Sequence, residues 1–143
     1  MSIEGKCLCG AVHITVDGRH ESQIGACHCR MCQAWSGGLF VCFEADADAV
    51  QITGQVARHI SSSFAERAFC PTCGSHLWMR DTDRVDAPYD LMPGLFDAAH
   101  DWPLRSEIYA DRAMTAIRLD GTHRRTSRAE YETTNTHVEG DTP

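Results

Sequence analysis

The chain has 143 residues, 43% of them hydrophobic and 23% charged, and its 13 basic against 20 acidic side chains leave a net charge of -7. That length supports one hydrophobic core rather than two comfortable domains, and the composition excludes a chain disordered over most of its length. The acidic balance argues against nucleic acid or an anionic membrane surface as a partner, and no apolar run approaches the roughly 20 residues that span a bilayer.

The start, "MSIEGKCLCG", has neither a basic segment nor a hydrophobic one, so the chain reads as soluble, unexported and cytoplasmic. Such a compartment keeps thiols reduced, and the eight cysteines therefore point to metal ligation or thiol chemistry rather than to disulfides. Cys7 and Cys9 form the first pair, followed directly by Gly10. In "AVHITVD" the residues Val12, Ile14 and Val16 share one face and Ala11, His13 and Thr15 the other, the alternation of a half-buried strand. "ACHCRMC" then crowds Cys27, Cys29 and Cys32 together, and "RMCQAWS" has room for a turn or two of helix.

"GLFVCFE" is an apolar run of strand length, with Cys42 in it as a small buried hydrophobe. "AVQITG", "ARHISSS", "ERAFC", "HLWMR" and "SEIYAD" add short strands separated by Gly, Ser or Asp, and Glu107 in the last is expected on a solvated face. No segment shows a long amphipathic helix, and nothing repeats at a fixed period. From Gly121 onward the chain is polar with almost nothing to bury, and residues 121–143 are expected to be a C-terminal tail, poorly ordered or packed on the surface.

Spacing sorts seven of the cysteines into three clusters. "CPTCG" has the form of a zinc knuckle: two thiolates on a tight turn, Pro71 presetting it, and Gly74 allowing the backbone to bend behind the second sulfur. A structural zinc takes four ligands, so Cys70 and Cys73 need a second pair, which "KCLCG" supplies as Cys7 and Cys9. Joining these pairs closes a loop around most of the chain and adds metal-binding free energy to folding.

Removing that set leaves Cys27, Cys29 and Cys32. Two readings stand: three ligands with an open fourth position, as in a catalytic zinc, or an inert second site completed by His28 or Cys42. Redox cycling of the thiols is a third. Trp35, beside Ser36-Gly37-Gly38, is expected to wall the site, and His28, flanked by two ligands, to point away from it.

The order "GKCLCGAV", "CHCRMC", "FCPTCGSHL", with "YDLMPGLFDAAHDWPLRSEIYADR" after it, resembles the glutathione-dependent formaldehyde-activating enzyme family, which includes the centromere protein V type domains. The resemblance runs from about residue 3 to about residue 118 and implies a zinc-binding domain over residues 1–120. It implies a mainly β fold of the Mss4-like, or β-tent, type, with several small antiparallel sheets braced by zinc. Residue by residue, Cys7, Cys9, Cys70 and Cys73 match the family's structural zinc ligands, and Cys27, Cys29 and Cys32 its catalytic ones. Two zincs per chain are expected, the second labile.

The activity so implied is that of a carbon–sulfur lyase that joins or splits a small, glutathione-like thiol and an aldehyde. The alternative is a non-catalytic zinc-braced module that binds a protein partner. Glutathione carries two carboxylates, for which Arg30, Arg67, Arg105 and Arg112 are candidate donors. The sequence leaves a homo-oligomer open.

Overall fold

A computed structural model describes residues 1–139 of the chain. In chain order the described elements are β1 (Ile3–Lys6), β2 (His13–Val16), β3 (Ile24–Cys27), α1 (Arg30–Ser36), β4 (Phe40–Ala45), β5 (Val50–Thr53), β6 (Ala57–Ile60), β7 (Ala65–Phe69), β8 (His76–Asp81), β9 (Tyr89–Leu91), β10 (Leu104–Ile108), β11 (Arg124–Thr126) and α2 (Arg128–Thr134). The expected mainly β architecture forms, and "RMCQAWS" is α1. No described helix is long and apolar enough to cross a membrane.

Two sheets carry the strands: a three-stranded one in the order β1-β2-β5, and an eight-stranded one in the order β11-β10-β3-β4-β9-β8-β7-β6. The antiparallel expectation holds for most pairs, but β10 runs parallel to both of its neighbours, β3 and β11. A parallel pair needs a long connection; most of the chain lies between β3 and β10, and residues 109–123 lie between β10 and β11.

The main core lies between the two sheets. Val12, Ile14 and Val16 are buried there, as their alternation predicts, against Phe43, Leu77, Trp78, Leu91 and Phe96. Fully burying one such side chain is worth about 1.5–3 kcal/mol. Strand β4 serves two clusters because its side chains alternate: Phe43 and Ala45 enter the main core, while Phe40 and Cys42 face a second cluster with Cys29, Cys32, Met79 and Tyr109.

Within the segment expected as a tail, residues 124–126 form β11 beside β10 and residues 128–134 form α2. Ser127 caps α2: its hydroxyl accepts from the Glu130 N–H at 3.2 Å, and the Glu130 carboxylate accepts from the Ser127 N–H at 2.9 Å. This segment finds its partners through the β11 ladder on β10 and through Tyr131, which packs on Tyr109 and the second cluster, single contacts that a scan for apolar runs does not register. Residues 140–143 of the expected tail lie outside the described residues.

Candidate active site and metal centres

The first centre is built from two similar turns. After β1, Gly10 takes φ +79° and its N–H donates to the Cys7 carbonyl at 3.0 Å; after β7, Gly74 takes φ +77° and donates to the Cys70 carbonyl at 2.8 Å. A residue with a Cβ pays strain at such angles, so glycine after each second cysteine lets both turns close. The Leu8 N–H donates to Ser75 Oγ at 3.0 Å and so ties one turn to the other.

The turns bring Cys7, Cys9, Cys70 and Cys73 together with all four sulfurs within 4.8 Å of one another. Cys7 to Cys9 is 3.6 Å and Cys9 to Cys70 is 3.8 Å. A disulfide needs about 2.05 Å, whereas tetrahedral bonds of about 2.3 Å to zinc set sulfurs about 3.8 Å apart. The donor set therefore fits zinc. The Val12 N–H donates to Cys7 Sγ at 3.2 Å, and the Ser75 hydroxyl beside Cys73 is the main cause that holds its thiol down at about 5.

The second centre forms where β3 ends. Cys27 is its last residue; Cys29 is the N-cap of α1 and accepts the Cys32 N–H at 3.4 Å; Cys32 follows within the first turn. The three sulfurs lie within 4.8 Å of one another, and the group closes at three among the described His, Cys, Asp and Glu side chains. Neither of the two fourth ligands considered from the sequence joins it. The His28 ring turns to Glu107, with Nε2 2.6 Å from Oε1, and Cys42 lines the adjoining cavity outside the group. Bonds from Cys27 and Cys32 hold the Cys29 thiol down at about 2, while the bond to Cys29 pushes Cys27 well up.

Arg67 is the nearest fixed cation. It is 2% exposed, its Nη2 donates to Cys32 Sγ at 3.4 Å, and its guanidinium lies 5.5 Å from the Phe40 ring centroid and 5.9 Å from that of Trp35. A buried guanidinium requires compensation, and here sulfur and aromatic faces supply it. The other three arginines considered for a carboxylate are also placed: Arg105 pairs with Glu21, Arg112 with Glu139, and Arg30 donates its backbone N–H to Glu139 while its side chain is exposed. Trp35 packs with His59, Phe69 and His76 and against the cluster of Cys29, Cys32 and Phe40, and it is not among the residues that line the cavity.

The trio opens on a cavity of about 310 Å³. Its walls are Phe40 and Cys42 of β4, Met79 and Asp81 of β8, Asp90 of β9, Arg105 and Ile108 of β10, and then Tyr131 and residues 137–139. This last wall belongs to the segment read from sequence as a tail. His137 stacks on Phe64 with ring centroids 4.2 Å apart and pairs with Asp81 at 3.3 Å and Asp83 at 3.0 Å. Those three side chains also group closely enough to hold a metal. Glu139 accepts from the Arg30 N–H at 2.6 Å and the Arg112 guanidinium at 3.0 Å, and its own N–H donates to the Tyr109 hydroxyl at 2.8 Å.

Behind the trio, Glu107 is 4% exposed and forms a hub, which corrects the expectation of a solvated face. Its carboxylate meets His28 Nε2, His123 Nε2 and, at 3.1 Å, Arg125 Nε. Burial follows from the place of β10 inside the sheet, covered by β11. Sequence reading missed Asp90 on β9 and, in the C-terminal segment, His123, Arg125, His137 and Glu139; the one signal for that segment was the spacing of Ser127 and Glu130, which marks a helix start.

A sequence profile described as glutathione-dependent formaldehyde-activating enzyme matches residues 2–112. An uncharacterised lyase of Schizosaccharomyces pombe is 32% identical over 109 residues, 76% of this chain and 78% of that protein. A Halomonas elongata protein, provisionally named a glutathione-dependent formaldehyde-activating enzyme, is 36% identical over 92 residues, 57% of each chain. The crystal structure of a Rhodobacter sphaeroides protein superposes with a TM-score of 0.57 at 19% identity, covering 71% of this chain and 99% of that one, a likeness of fold.

Proposed function

The chain belongs to the glutathione-dependent formaldehyde-activating enzyme family, and from that premise we propose that it is a zinc-dependent carbon–sulfur lyase, joining a small thiol of the glutathione type to an aldehyde or splitting the adduct. One observation carries this reading: Cys27, Cys29 and Cys32 gather three sulfurs with no fourth ligand among the described residues, and that incomplete set faces a cavity of about 310 Å³. A structural site takes four ligands and a catalytic one keeps a position free.

The chain's own residues then have distinct tasks. Cys27, Cys29 and Cys32 would hold zinc for the reaction, and Cys7, Cys9, Cys70 and Cys73 would hold the one that braces the fold. Zinc at the trio supplies Lewis acidity and one free position for a small thiol. Arg67 places a fixed positive charge on Cys32 and offsets the surplus negative charge of three thiolates. Phe40, Met79 and Ile108 give the cavity an apolar wall, and Val138 and Glu139 add a further side to it. A small aldehyde fits the volume; the larger thiol reaches it with its sulfur foremost.

The test is native mass of the purified chain before and after adding glutathione. The expected result is two zincs per chain and a glutathione adduct that Cys29→Ser loses while its circular dichroism stays that of the parent. Two zincs that ignore every small thiol offered overturn the lyase reading and point to a zinc-braced binding module.

A further inference from the structure

Formation of a thiol–aldehyde adduct moves a proton as well as a bond, and the cavity contains three carboxylates that could exchange it: Asp81, Asp90 and Glu139. Two are committed. Asp81 pairs with His137, and Glu139 with Arg112 and the Arg30 N–H. Asp90 makes no ion pair among the described residues. Of the two tyrosines, Tyr109 bonds Glu132 and the Glu139 N–H and is pushed up beyond ordinary use, and Tyr131 is raised by burial to about 12.

The groups facing Asp90 are identifiable from every side. On β4 stand Cys42 and Glu44 and on β8 Asp81; the charge of Glu21 acts as well, and Glu21 is paired with Arg105, which lines the same cavity. Cys42 lines the same cavity, burial pushes its thiol up, and its nearness to Asp90 works against the rise of that carboxyl. Burial first, then the negative charges of Glu44 and Asp81, push the Asp90 carboxyl up to about 7. A carboxyl poised there is half protonated under neutral conditions, the best state for passing a proton both ways.

We propose that Asp90 is the acid and base of this cavity, giving a proton to the aldehyde oxygen when the adduct forms and taking it back when the adduct splits. The proposal rests on the lyase reading above. As the thiol sulfur bonds to the carbonyl carbon, the π pair of the C–O bond moves to oxygen, which takes the Asp90 proton; the proton lost by the thiol restores the acid. In the reverse direction the Asp90 carboxylate removes the hydroxyl proton, the carbonyl re-forms, and the C–S bond breaks with its electron pair left on sulfur. Atoms and charge balance, and no oxidant or reductant enters.

The experiment measures exchange between free glutathione and its hydroxymethyl adduct by NMR, using the zinc-loaded full chain with formaldehyde across pH 5–9. Asp90→Asn is expected to lower kcat by about 100-fold or more and to remove the break near pH 7 that the parent shows, while glutathione binding followed by native mass is retained. Asp90→Glu keeps the break. The parent chain is also labelled at its aspartate carboxyl carbons, and Asp90 is expected to titrate near 7. An Asp90→Asn chain with the parent's kcat and pH profile, or an Asp90 that titrates with ordinary aspartates, overturns the proposal and leaves the lyase reading intact. A parent chain that neither binds glutathione nor accelerates exchange overturns both.

Discussion

Replacing Glu107 by Gln removes the charge at the centre of the buried hub without changing its shape. In the parent, two carboxylate oxygens serve His28, His123 and Arg125. The amide has one oxygen and therefore leaves one buried imidazole without its acceptor. A buried, charge-assisted hydrogen bond of this kind is worth about 1.5–3 kcal/mol, and the Arg125 contact adds little because that side chain is 47% exposed. For 143 residues, an unfolding entropy of about 2 cal/mol/K per residue makes each kcal/mol worth roughly 3 °C, so Tm should fall by about 5–10 °C.

The sign with pH is fixed by the same bonds. Burial pushes the Glu107 carboxyl up, but the bonds from His123 and His28 outweigh it and hold the carboxyl below the ordinary value of 4.5. A depressed carboxyl stabilises the fold above its unfolded value and loses that contribution as pH falls through the folded one. The Tm difference between parent and Glu107→Gln should therefore be full at pH 7 and shrink below pH 4.5. Thermal unfolding followed by circular dichroism across pH 3.5–8 is the assay, with Arg125→Ala as the control for the exposed contact. A Glu107→Gln chain within 1 °C of the parent at pH 7, or a difference that grows on acidification, would refute the account of this hub.

Three further outcomes are expected. Cys70→Ser should abolish cooperative unfolding where Cys29→Ser leaves it, because the first set joins β1 to the turn after β7 while the second closes only a short loop; calorimetry with zinc in excess compares them. Gly74→Ala should cost about 1–2 kcal/mol in urea unfolding, since φ +77° is its only obstacle, whereas Gly54→Ala should cost about 3 kcal/mol or more, because its Cβ would stand 2.1 Å from the Ala11 carbonyl oxygen. Glu139→Ala should free residues 136–139 without unfolding the sheets, seen as lost hydrogen-exchange protection at the Glu139 and Arg30 amides; unchanged protection there would refute the bonds assigned to the segment.

How much of this was readable beforehand depended on range. The alternation of Val12, Ile14 and Val16 and the helix "RMCQAWS" are local patterns, and both formed where the sequence placed them. The two turns that end in Gly10 and Gly74 were readable for the same reason, since a left-handed residue behind the second cysteine is a property of four or five successive residues. Glu107, Trp35 and residues 121–139 were read less well because each depends on what lies across from it. A glutamate in a short strand looks solvated until β11 pairs beside it, and a polar run looks like a tail until its carboxylates and imidazoles find partners in β8, α1 and β10.

Sequence alone determined the family, the grouping of seven cysteines into three clusters and the mainly β character, because ligand spacing and strand alternation are written within a few residues. Tertiary structure decided the rest. His28 meets Glu107 across 79 positions and the Arg30 amide meets Glu139 across 109, separations over which no periodicity extends. Only folding brings Cys42 and Asp90 into the cavity beside the trio, and it is the desolvation of that shared space, absent in the extended chain, that raises an ordinary aspartate to where it can exchange a proton.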